Sequence, residues 1–261
     1  MMRRLGWLLA LTVTACEADG GQTSGARFTL HTRMELEGTT ASTRSNWNVQ
    51  LTRVRVAVGA LHYFTGEPLG ASRVVRKQSA LAEVLRWISI PSAHAHPGHY
   101  VEGEALGEML TPSTIDLLAP VTLGDANATS GTYRSARFTF AAAPSAEQDA
   151  EMGGAVLLIE GDAARDAENR RFLFRAAPAD LLNASQKPEI EGCHFAEHSI
   201  EAEGTVVLTA KPSIWFAAAD FSELAEEPNG AAVEVAKDSR LYRQIRERVI
   251  AAAGIDFRYE E

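Results

Sequence analysis

From Arg27 onward the chain alternates apolar and polar residues with a period of two, the pattern of a strand with one face buried and the other in water. In RFTLHTRMELE, Phe28, Leu30, Met34 and Leu36 share one side, and Thr29, His31, Arg33 and Glu35 the other. Trp47, Val49 and Leu51 start a second alternation. It continues in the opposite parity through Val54, Val56, Val58, Ala60, His62 and Phe64. Such a slip requires one extra residue, so a bulge is expected near Thr52 and Arg53. His62 then falls on the apolar side as a core histidine.

Shorter runs at 115–118, 134–140, 155–160, 171–176, 205–210 and 214–216 also read as strands, separated by Gly, Pro, Asn and Asp. Residues 161–169 read as a solvated hairpin loop. Residues 78–87 carry a helical pattern. Near the C-terminus, Asp238 or Ser239 can cap a helix in which Leu241, Ile245 and Val249 recur every four residues, with Gly254 as its stop. Arg243, Arg246 and Arg248 form its solvated side. The fold expected is mainly β, an elaborated antiparallel β-sandwich with a C-terminal helix. Trp47, Trp87 and Trp215 are its core anchors.

The first sixteen residues, MMRRLGWLLALTVTAC, do not belong to that pattern. Arg3 and Arg4 precede an apolar run of about half the roughly 20 residues that span a bilayer, so the segment reads as a cleaved signal. Its end, Val13-Thr14-Ala15-Cys16, resembles the lipobox of bacterial lipoproteins, which implies lipidation at Cys16 and attachment to a membrane. Glu17 lacks the Asp that retains such proteins in the inner membrane, which implies the outer membrane with the body facing the periplasm. The division expected is a signal peptide over 1–15, a Gly/Ser-rich tether over 16–25 and one β-sandwich-type domain over 26–261.

The 261 residues carry 25 Lys+Arg against 34 Asp+Glu, a net charge of −9, which opposes binding to nucleic acid. Loss of Arg3 and Arg4 with the signal makes the body two units more acidic. With Cys16 consumed by lipid, Cys193 is the remaining thiol.

Two clusters could carry chemistry. Ser92-Ala93-His94-Ala95-His96-Pro97-Gly98-His99 gathers three of the seven histidines. His94 and His96 share a side of an extended chain, and Pro97-Gly98 favours a turn that returns His99 towards them. Neutral imidazoles suit copper or zinc, and Glu102 and Glu104 are near enough in sequence to orient them. The second cluster is Cys193, His194 and His198, a softer set for Cu(I) or Zn(II). No nucleophile elbow, H-E-x-x-H, P-loop or dinucleotide fingerprint occurs, so no enzyme is expected. The function these residues suggest is capture or buffering of copper or zinc, with an envelope or metal-handling protein as partner. The alternative is a structural or interaction lipoprotein of the envelope that holds no metal.

The segments VRVAVGALHYFTG at 54–66, GTYRSARFTF at 131–140, VVLTAKPSIWFAAADFSEL at 206–224 and SRLYRQIRERVIAAAGIDFRY at 239–259 resemble the MbnP-like periplasmic proteins. That resemblance implies a β-sandwich, non-enzymatic copper handling and, in some members, a di-haem partner that oxidises a tryptophan. The His-x-His-Pro-Gly-His run has no counterpart in that pattern.

Overall fold

The computed structural model describes residues 25–69, 100–143, 145–226 and 230–261. β1 (Arg27–Leu36) buries Leu30, Thr32 and Met34 and turns the residues between them outward, as the alternation dictates. β3 (Asn48–Phe64) buries Val49 and Leu51 until its register with β8 (Leu157–Arg165) shifts between Leu51 and Arg53. Beyond that shift Val54, Val56 and Val58 face inward, so the bulge lies where the sequence puts it.

A second shift, between Val58 and Leu61, was not expected. It falls against β7 (Gly131–Phe140), where a Cβ on Gly59 would come within 2.9 Å of the Ala141 Cβ. Parity flips again, so Leu61 and Tyr63 point inward and His62 moves to the half-buried outer side. The expectation of a core histidine fails for that reason.

β3 is long enough to belong to two surfaces. Its first half pairs with β2 (Thr40–Ser42) and β5 (Ser113–Asp116) on one edge and with β8 on the other. From β8 the sheet continues through β9 (Glu168–Ala176) to the short strand β12 (Val233–Glu234). The second half of β3 lies between β4 (Ala105–Met109) and β7. From β4 the pairing runs through β6 (Val121–Thr129), β1, β11 (Gly204–Ala210), β13 (Ile255–Glu260) and β10 (Glu189–Ile200) to β7, and so back to β3. Closure of this ring removes free sheet edges. The architecture is thus mainly β, an elaborated sandwich. The sheet is mixed rather than purely antiparallel, because β1–β11, β10–β13 and β9–β12 are parallel.

The ring is filled by side chains, as expected for eight strands. Tyr63, Tyr133, Phe195 and Phe257 meet there with ring centroids 5.5–6.2 Å apart. The Tyr133 hydroxyl donates to the Thr129 carbonyl at 2.8 Å, and that of Tyr63 lies 3.3 Å from Thr32 Oγ1, so these three buried hydroxyls are partnered. The flanking sheet packs Trp47 and Phe172 on Phe216 and Phe221. Trp47 and Trp215 are buried, and Trp87 lies outside the described residues.

Helices are few among the described residues: α1 (Ala146–Met152), α2 (Pro212–Trp215) and α3 (Arg240–Val249). None is long and apolar enough to cross a membrane. Residues 214–216, expected as a strand, are instead helical or its cap, because Pro212 opens a helical turn. The hairpin loop expected over 161–169 shrinks to Asp166 and Ala167, with Asp166 at φ 52°. In α3, Ser239 caps Tyr242 N at 3.0 Å, and Leu241, Ile245 and Val249 are buried. The helix stops at Ile250, ahead of Gly254, which instead closes the turn into β13. Arg246, expected in solvent, donates to the carbonyls of Asp180 and, at 3.2 Å, Leu182. The helix expected at 78–87 lies outside the described residues.

Candidate functional site

The second cluster lies on β10, whose alternation divides it. Cys193 is fully buried, its thiol 3.6 Å from the Ile190 carbonyl, whereas His194 and His198 are exposed. Consecutive strand residues face opposite sides, so Cys193 and His194 cannot both reach one ion. A further register shift separates His194 from His198, whose ring rests 4.9 Å from that of Tyr259. The set Cys193, His194 and His198 therefore does not assemble. Among the described residues no group of three or more His, Cys, Asp or Glu side chains is placed to hold a metal ion. Residues His94, His96 and His99 lie outside the described residues, as does Cys16.

Burial pushes the Cys193 thiol far above its ordinary range, and the nearby Asp256 charge adds to the effect. A thiol so held is a poor nucleophile. In the Cys16→Ser chain, labelling of Cys193 by a maleimide should run at least about a hundredfold slower than in denaturant, because only global opening exposes it. Equal rates in the two conditions would show that the thiol is accessible.

The segment after His99 is tied to the sheet at several points. The Tyr100 hydroxyl lies 2.7 Å from Ser135 Oγ on β7, and burial raises the phenol to about 12. Gly66 N donates to the Glu102 carbonyl at 2.8 Å, and Glu104 N to Thr65 Oγ1 at 2.9 Å. Gly66 must be glycine, because a Cβ there would sit 2.2 Å from the Val101 carbonyl oxygen. These contacts clamp 100–104 across the end of β3.

Beneath that clamp is a charged cluster. Arg137 donates to Glu102 at 2.7 Å and lies over the Phe64 ring at 5.4 Å, with the buried Glu189 at 3.9 Å. Burial, and then the adjoining Glu189, raises the Glu191 carboxyl. Burial, and then Arg137, lowers His62. Glu102 is paired with Arg137 and Glu104 is exposed, while the histidines they are expected to orient lie outside the described residues. The sequence reading missed this cluster, whose one signal was a set of charges on strand segments.

Cross-strand register also aligns Ser135, His194 and Asp256. They do not form a catalytic relay. Ser135 is buried with its hydroxyl engaged by Tyr100, and Asp256 is paired with Lys211. A cleft of about 310 Å³ beside them is lined by Pro68, Leu69 and Ile214. A larger groove of about 740 Å³ crosses β2, β3 and β8.

No protein-family model matches this sequence, and no curated protein does. A solved structure, MbnP from Methylosinus trichosporium, is similar at 10% identity, covering 85% of this chain and 87% of that one, with a TM-score of 0.38. A superposition that loose carries neither ligand nor activity from one chain to the other.

Proposed function

We propose that this chain is a lipid-anchored protein of the outer membrane, facing the periplasm, that captures or buffers copper or zinc without catalysing a reaction. Cys16 carries the lipid, and His94, His96 and His99 bind the ion. The observation that supports the reading is the His-x-His-Pro-Gly-His run, three borderline nitrogen donors within six residues around a turn. The chain after His99 is fixed by Tyr100 on Ser135, which gives the run a rigid neighbour. Cys193 has no part in the site, since a thiolate ligand would have to form in a dry core. Imidazoles bind metal when neutral, so the ion is released as pH falls through about 6.5.

The test is metal analysis of the Cys16→Ser chain, purified without an affinity tag and loaded with copper or zinc. A stoichiometric amount is expected, retained in Cys193→Ser and lost in the His94/His96/His99→Ala triple variant. Equal, sub-stoichiometric metal in the parent and triple variant would overturn the proposal.

A further inference from the structure

The groove over β2, β3 and β8 has an ordered floor. Register places Thr40 opposite Gln50, Gln50 opposite Asp162 and Asp162 opposite Arg171, one row across four strands. The next row is Ser42, Asn48, Ala164 and Asn169. All of these point away from the core, since Ala41, Val49 and Ala163 between them are buried. At about 4.8 Å per strand the rows extend roughly 14 Å.

The chemistry of this face differs from that of the outer face of β1 and β13. On β1 and β13, Arg33, Glu35, Arg258 and Glu260 form a network of ion pairs. Here, Gln50 and Arg171 apart, the polar side chains are short (Thr40, Ser42, Asn48, Asp162 and Asn169) and lose less entropy than long ones when a ligand orders them. Ser42 donates to Asn48 Oδ1 at 3.1 Å, and Gln50 donates to the Leu51 carbonyl at 3.2 Å, so two amides are already oriented. Arg171 is held by Glu160 at 3.0 Å, which leaves Asp162 with no cationic partner among the described residues. Ala164 keeps the middle of the floor low.

We infer that this groove binds a neutral glycan chain laid across the strands. A dense row of sugar hydroxyls both donates and accepts, which matches alternating amides, hydroxyls and one carboxylate able to take two hydroxyl protons. Anions are disfavoured by Asp162 and by the absence of a free cation in the rows. Among the described residues the outer edge of β2 is unpaired, but a peptide added there would run along the strands and leave the two rows uncovered. Glycan binding here is independent of the metal reading, because it uses no residue of that site.

The experiment is an NMR titration of the Cys16→Ser chain with neutral hexasaccharides of β-1,4-linked glucose and of β-1,4-linked N-acetylglucosamine. At least one should shift amide signals of 40–42, 48–50 and 162–169 in a saturable way. Asp162→Ala/Asn169→Ala should weaken that affinity tenfold or more. Ala164→Arg, which removes no hydrogen bond but fills the floor, should abolish it while the remaining spectrum stays folded. No saturable shift with either sugar, shifts confined to other surfaces, or an Ala164→Arg chain that binds like the parent would each overturn the inference.

Discussion

Phe195→Ala is expected to cost about 3–5 kcal/mol of folding stability. The ring is 1% exposed and lies 5.5 Å from Tyr133, 6.0 Å from Tyr63 and 6.2 Å from Phe257. Those partners sit on β7, β3 and β13, while Phe195 itself is on β10. All four strands belong to the closed hydrogen-bonded ring, so none can move inward without breaking pairings on both of its edges. The cavity left by the ring therefore stays open, and the loss includes contacts as well as transfer free energy. His198→Ala, three residues on along the same strand, removes only an exposed ring and should cost less than about 1 kcal/mol. Denaturant midpoints at unchanged slope measure both. A loss below about 1 kcal/mol for Phe195→Ala would show that the ring can collapse after all.

That contrast also marks how far the sequence could be read. β1 and the first half of β3 were legible because alternation runs unbroken around a single slip, and the slip between Leu51 and Arg53 left its own trace. The second slip was not legible. His62 and Tyr63 are both amphipathic, so either parity looked acceptable after Gly59. β10 was hidden differently. Its residues Cys193, His194 and His198 suggested ligands, while Ala196 to Ser199 are exposed without alternation, so periodicity could not reveal a strand. Pairing of β1 with β11 joins segments some 170 residues apart in parallel, a relation no local pattern encodes. The histidine run is visible as composition alone. The groove was invisible for the opposite reason: Thr40, Asn48, Asp162 and Asn169 are each ordinary on a solvent face, and only register makes them a row.

Trp47→Ala should cost about 3–5 kcal/mol as well, through a different part of the core. Its ring is fully buried, edge-on to Phe221 at 5.8 Å, with the Arg165 guanidinium 4.3 Å from its centroid. The indole N–H donates to Asp220 Oδ1 at 3.3 Å. Asp220 is a fixed acceptor, because Ser222 Oγ donates to it at 2.6 Å and that bond, ahead of the others, holds its carboxyl below the usual range. Loss of the indole thus opens a cavity beside Phe221 and removes the cation–π partner of Arg165. Trp47→Phe separates the contributions. It keeps an aromatic face for Phe221 and Arg165 but has no N–H, so about 1–2 kcal/mol should be lost. If Trp47→Phe proved as costly as Trp47→Ala, the hydrogen bond to Asp220 rather than ring packing would hold β3 to the 216–221 segment.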